Sequence, residues 1–140
     1  MIYNLYNKVA DSPGMFRQLS CDESLITIFN CPLDNKIQDT WSHHNYIVYV
    51  MEGRKIWHTT DGSYDLQPPS CVFIRKGACI VEQFFEARFC FIMFFIPDDF
   101  LVDVLKSKSR PVFHTQAKHK PVIPIAHSPA TDGFFQSMLP

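Results

Sequence analysis

No CxxC pair occurs among the five cysteines, which stand at positions 21, 31, 71, 79 and 90. An odd number at that spacing supports neither a zinc clamp nor a complete disulfide framework. Buried, reduced thiols acting as small hydrophobes fit better, and they imply the cytosol. The first residues, MIYNLYNKVADSPG, lack a charged stretch followed by an apolar run, so no secretory signal is expected. The longest apolar run, Phe89 to Ile96, is too short to span a bilayer. Basic stripes are missing too. Formal net charge is −1, and the densest cations, Lys106, Lys108 and Arg110, suit the end of a helix, so the chain should not hold nucleic acid by itself. There is no Gly-rich phosphate loop, no GxSxG elbow and no HExxH. Cys71 and Cys79 would act as nucleophiles only beside a histidine; buried and inert is the preferred reading. These absences leave a cytoplasmic protein without an evident catalytic set.

What is present is hydrophobic and aromatic. Hydrophobic residues make up 46% of 140 and charged residues 19%, with thirteen Phe, five Tyr and two Trp. That composition argues against disorder, the length fits a single domain, and the aromatic load favours a β core. Extended runs recur between turn residues: Met15–Leu19, Leu25–Asn30, Asn45–Met51, Arg54–Thr59, Tyr64–Gln67, Cys71–Arg75, Ala78–Phe85 and Arg88–Ile96. Turns fall at the CDES stretch, Glu52-Gly53, the Asp61-Gly62 pair, Lys76-Gly77 and Glu86-Ala87, with the DNK stretch read as a loop. The strands Asn45–Met51 and Arg88–Ile96 are apolar on both faces, so both faces should be buried. On the second of these, Phe89, Phe91, Met93 and Phe95 share one side, and Cys90, Ile92, Phe94 and Ile96 share the other.

After Pro97 the period changes. Phe100, Leu101, Val104 and Leu105 form one helical stripe, with Asp98 and Asp99 at the start and Lys106 and Lys108 at the end, as the helix dipole favours. This helix is a candidate cover for the outer side of the preceding strand. Val112–Phe113 and Val122–Ala126 read as short strands, and Ser128-Pro129 as an N-cap followed by Pro at the first helical position. The expected organisation is one domain: a barrel over about 10–96, a helix over 97–108, an extended stretch over 109–127, and a helix beginning within 128–140. Strands first and helices afterwards favour an antiparallel barrel or sandwich over a βαβ fold.

The stretch YVMEG (Tyr49 to Gly53), a strand, a DG turn and YDLQPPSCVFIRKGA (Tyr64 to Ala78) resemble the double-stranded β-helix, a jelly-roll-type barrel, of the cupin superfamily. The runs GRKIWHTTDGSYDL, VFIRKGACIVEQFF and FIMFFIPDDF make the chain most similar to the N-terminal effector or dimerisation domain of AraC-type transcription regulators. The likeness is to the branch typified by the exoenzyme S synthesis regulator, and it covers roughly residues 15 to 110. It implies a mainly β, cupin-like fold and a non-catalytic sensing and pairing role. It also implies a homodimer, an effector that is either a small molecule or a regulatory protein, and DNA contacts only through a helix-turn-helix region beyond Pro140. The final FFQSMLP segment would lead into the dimer-forming helices.

Metal-binding cupins gather two histidines, a carboxylate and a third histidine inside the barrel. The resemblance places these near Thr40 and Ser42, at Tyr46 and at Ile80, none of which supplies such a ligand, so no metal and no cofactor are expected. His43 and His44 are adjacent and on a strand would point to opposite faces. His114, His119 and His127 read as loop residues. A small-molecule site is expected at His44, Tyr46, Trp57, Glu82 and Phe84. With Tyr46 taken as inward, His44, Val48 and Val50 share its face by alternation. With Ile80 as the reference, Glu82 and Phe84 also point inward. A lone carboxylate in that setting is costly unless paired, or unless it lies at the barrel mouth. Five large aromatics pointing into so small a barrel could instead fill it outright, leaving no pocket, and the sequence leaves that choice open. Two alternatives stay open, a cupin isomerase or dioxygenase and a stand-alone binding protein.

Overall fold

The computed structural model describes residues 2–12, 14, 17–29, 36–84, 90–107 and 120–138. In chain order its elements are β1 (Tyr3–Asn4), α1 (Leu5–Ala10), β2 (Arg17–Cys21), β3 (Ser24–Phe29), β4 (Ile37–Ser42), β5 (Asn45–Glu52) and β6 (Lys55–Thr59). They continue with β7 (Gly62–Leu66), β8 (Ser70–Ile74), β9 (Gly77–Gln83), β10 (Cys90–Ile96), α2 (Asp98–Ser107), β11 (Val122–Pro124) and α3 (Pro129–Gln136). One sheet has the order β1-β4-β9-β6-β7 and the other β11-β8-β5-β10-β3-β2. Among the described residues the pairings are antiparallel except that of β1 with β4. The chain changes sheet between β1 and β2, β3 and β4, β4 and β5, β5 and β6, β7 and β8, β8 and β9, and β9 and β10, and the two sheets enclose a common interior.

Inward residues of both sheets fill that interior. Val48 and Val50 from β5, Phe91, Met93 and Phe95 from β10, Trp57 from β6 and Phe29 from β3 are all at most 2% exposed. Leu5 and Val9 of α1 join the same cluster, so the short N-terminal helix plugs the barrel. Gly53 (φ 92°) and Gly77 (φ 137°) allow the sharp turns at the ends of β5 and β8. The expected double burial of the central strands holds. On the outer side of β5 and β10, Tyr49, Ile92, Cys71 and Phe135 make a second buried cluster.

The cover for that second cluster differs from the expectation. It is α3, through Phe135 (3% exposed), and not α2, whose Phe100 and Val102 are 47% and 46% exposed. The reason lies at the start of α2. Asn45 Nδ2 donates to Asp98 Oδ1 at 3.0 Å, while Lys76 N donates to Asn45 Oδ1 at 2.8 Å and the Lys76 ammonium pairs with Asp98. These bonds anchor the helix at the end of the barrel. Ser128 caps α3 as expected, accepting from Thr131 N at 3.1 Å.

Three elements among the described residues went unread in the sequence: the short strand β1, helix α1, and β4, whose pattern is inverted. Its inward residues Gln38, Thr40 and Ser42 are polar, and its outward Ile37 and Trp41 are half exposed. Alternation is present, but its sign conceals it. The expected strand at Val112–Phe113, the turn at Glu86-Ala87, and Cys31, His114 and His119 lie outside the described residues.

Candidate functional site

The position where the cupin pattern would gather ligands is a packed polar plug. Thr40 and Ser42 do face inward, each 2% exposed, and Tyr46 lies beside them at 1%. The matching residue on β9 is Cys79 rather than Ile80, because the register sets Thr40 opposite Cys79. Thr40 Oγ1 donates to the Cys79 carbonyl at 3.2 Å and lies 3.4 Å from its sulfur, while Tyr46 Oη stands 3.7 Å from the same sulfur. Trp57 Nε1 donates to Tyr46 Oη at 3.0 Å. Burial raises the Tyr46 phenol well above its ordinary range, so it stays neutral. The void next to this cluster, lined by Leu5, Phe29, Thr40, Lys55, Trp57, Val81 and Met93, measures about 10 Å³. That is room for about one water. The aromatics fill the barrel.

The one-residue difference on β9 moves two of the expected site residues. Ile80 is 42% exposed, whereas Val81 and Gln83 are buried, so Glu82 and Phe84 do not share the inner face with Tyr46. Glu82 lies on the outer face, 3.1 Å from His58 Nε2 and 3.9 Å from Lys36 Nζ. Its charge is therefore paired and partly solvated, and the cost foreseen for a lone buried carboxylate does not arise. Phe84 carries the Arg54 guanidinium over its ring at 4.6 Å, and Arg54 in turn holds Asp65 through two bonds of 2.8 and 2.7 Å. Of the five residues, the structure brings Tyr46 and Trp57 into contact, sets His44 at the barrel end, and puts Glu82 and Phe84 outside.

His43 and His44 also depart from the strand geometry expected of them. They form a bend between β4 and β5, so their rings lie side by side with centroids 4.1 Å apart. Tyr6 of α1 meets both rings edge-on, at 5.1 and 4.9 Å. A residue that sequence reasoning missed is Lys55, 2% exposed, with its ammonium 4.9 Å from the Phe29 ring and 5.1 Å from that of Phe91. The signal was available: if Trp57 points inward, alternation sends Lys55 inward too.

The outer surface carries a groove of about 510 Å³ between the β2–β3 hairpin and α2. Leu19, Ile26, Phe94 and Phe100 supply an apolar floor, and Asp22, Glu23, Asp99 and Asp103 line it with carboxylates; none of its lining residues is a cation.

A polar clamp fixes α3 over the second cluster. Tyr49 Oη donates to Asp132 Oδ1 at 3.1 Å, His127 Nδ1 lies 3.1 Å from the same oxygen, and His127 Nε2 lies 3.2 Å from the Pro69 carbonyl. Both partners of His127 are acceptors, so the imidazolium satisfies both and the neutral ring only one. The Asp132 hydrogen bond accordingly raises the His127 pKa above 6.5, and the same bond lowers that of Asp132 below 3.8. A raised histidine stabilises fully below 6.5, and its contribution is lost as pH climbs through the folded value. A lowered aspartate contributes above 3.8 and ceases to as pH falls through its folded value. The clamp is therefore tightest between about pH 4 and 6.5. Thermal midpoints of the wild type and His127→Gln should diverge on the acid side of that upper limit and converge as pH rises through the folded-state value; parallel curves would refute the clamp. Burial pushes the nearby Cys71 thiol up to about 11, which leaves it unreactive at neutral pH.

Residues 45–140 match the family model described as the ExsA N-terminal regulatory domain. No curated protein matches the chain in sequence. Among solved structures, the chain is similar to a variant of apo ToxT from Vibrio cholerae, with a TM-score of 0.62 and 9% identity over 86% of this chain and 48% of that one. It therefore spans about half the length of ToxT. It is also similar to the EutQ protein of Clostridium difficile, with a TM-score of 0.48 and 18% identity over 60% and 68% of the two chains. A cupin superfamily protein of Desulfitobacterium hafniense gives 0.47 and 15% over 57% and 72%. At 9% identity the likeness to ToxT is one of fold alone.

Proposed function

This chain belongs to the family of ExsA N-terminal regulatory domains, and on that premise we propose that it is the non-catalytic sensing and pairing part of an AraC-type transcription regulator. The family match over residues 45–140 carries the reading. The filled interior supports it from the side of chemistry, because Thr40, Ser42, Tyr46 and Cys79 occupy the place where a cupin enzyme would need open coordination sites. A void of about 10 Å³ beside Trp57 also has no room for an organic effector.

The signal is then read on the outer surface, and a protein partner suits that surface better than a small molecule does. The groove beside α2 pairs an apolar floor with four carboxylates. Its occupant in this proposal is a partner segment that presents apolar and basic side chains together. Binding there would shift an equilibrium between homodimer or domain arrangements and so bias DNA binding by a helix-turn-helix region elsewhere in the full-length protein.

The test uses the full-length protein with Leu19→Glu and Phe100→Glu together, at side chains already 69% and 47% exposed. A reporter driven by the protein's own target promoter should lose its ratio of induced to uninduced expression. The purified variant should still bind that promoter fragment within about twofold of wild type, and should still sediment as a dimer, because surface changes of this kind rarely disturb a fold. An unchanged ratio would overturn the groove. Failure of the wild-type protein to bind the fragment would overturn the regulator reading.

A further inference from the structure

Three potential ligands meet at the end of the barrel: Glu23, whose carboxylate also borders the groove beside α2, and the two histidines His43 and His44. Glu23 sits in the two-residue turn that joins β2 to β3, where Cys21 pairs with Ser24 and Asp22 takes the left-handed conformation at φ 52°. Aspartate tolerates that conformation, and the tight turn places Glu23 against the β4–β5 bend. One ligand atom each from Glu23, His43 and His44 lies within 4.8 Å of the others.

One pair already has the spacing an ion would impose. His44 Nε2 and Glu23 Oε2 are 3.6 Å apart. Two ligands about 2.0–2.1 Å from a tetrahedral metal stand about 3.4 Å from each other. That separation is too long for a hydrogen bond, and Nε2 of His44 is a buried nitrogen without a hydrogen-bond partner on a residue only 7% exposed. A polar atom in that condition calls for an occupant. Tyr6 walls the site on the α1 side, while Glu23 remains open to solvent and leaves a route for entry.

We propose that Glu23, His43 and His44 form a binding site for a divalent first-row transition ion of the zinc type, with solvent completing its coordination. Two imidazoles and a carboxylate favour such ions over magnesium or calcium, which prefer all-oxygen sites. The site is distinct from the cupin position inside the barrel, since none of Thr40, Ser42, Tyr46 or Cys79 takes part. Asn4 must adjust to it. Its Nδ2 now donates to His43 Nδ1 at 2.8 Å while its Oδ1 accepts from Asn7 N at 3.0 Å. If the ion takes Nδ1, the amide is displaced. If it takes Nε2, the proton moves to Nδ1 and the amide turns over, giving up the cap of α1.

The probe is Co²⁺ added to metal-free full-length protein, followed by its visible ligand-field bands and by displacement with Zn²⁺. One equivalent should bind, and Zn²⁺ should raise the thermal midpoint. Glu23→Gln, at a side chain 66% exposed, and His43→Gln should each weaken binding about tenfold or more. Absence of the bands would overturn the site, as would binding that either substitution leaves unchanged. The readout is independent of transcription, so its failure is separable from failure of the regulator reading.

Discussion

Replacing Trp57 by alanine is expected to cost about 3–5 kcal/mol of folding stability, a large share of a total margin that is about 5–15 kcal/mol for a domain. The indole is 1% exposed and packs within a core where the neighbouring void is only about 10 Å³. Its removal opens space that the curled sheets cannot close. Denaturant unfolding should show a lower midpoint at an unchanged slope. The polar contribution can be separated from the packing. Tyr46→Phe strands the Trp57 Nε1–H, which donates to Tyr46 Oη at 3.0 Å, and should cost about 1–3 kcal/mol. Adding Trp57→Phe removes the orphaned donor, so the double variant should lose less than the sum of the two single ones. Strict additivity would mean that the hydrogen bond contributes nothing beyond the rings.

Phe135→Ala should have an effect of similar size but in one place. The ring is 3% exposed and stacks on Tyr49 with centroids 4.7 Å apart. An eight-residue helix has little stability alone, so α3 depends on this contact and on the Asp132 clamp. Loss of about 3–5 kcal/mol of packing should release α3 while the barrel stays folded. Hydrogen exchange should therefore speed up across residues 129–136 and at the outer side of β5, with little change in β4, β6 and β9. Uniform loss of protection would show instead that α3 and the barrel unfold as one unit.

The elements that could be read from the sequence are those whose local pattern agrees with their packing. Strands β5 and β10 are apolar on both faces and are buried on both. Helix α2 carries its charges at the ends the dipole favours, and Ser128-Pro129 opens α3 where a cap should. Strand β4 was hidden because Gln38, Thr40 and Ser42 point inward, an arrangement that only long-range pairing with β9 justifies. On β9 the face assignment slipped by one residue, and with a period of two that slip reverses every side chain. It turned Glu82 and Phe84 outward and made Cys79 the inner neighbour of Tyr46. The two histidines were judged as strand residues, and the bend that makes them neighbours has no local signature. Lys55 shows the opposite case: its alternation with the inward Trp57 matches its burial, although it carries a charge.

Strand order also has a kinetic consequence. Strand β3 pairs locally with β2, but its other edge is completed only by β10, with Phe29 beside Phe91, and β4 must wait for β9. Because the entropy of closing such loops comes before any reward from the contacts, nucleation depends on distant segments meeting, and folding belongs to the slow, millisecond-to-second regime of non-local β topologies. During synthesis the greasy Leu25–Phe29 segment leaves the ribosome well before β10 exists to cover its second edge, and in that interval a chaperone would find its clearest target.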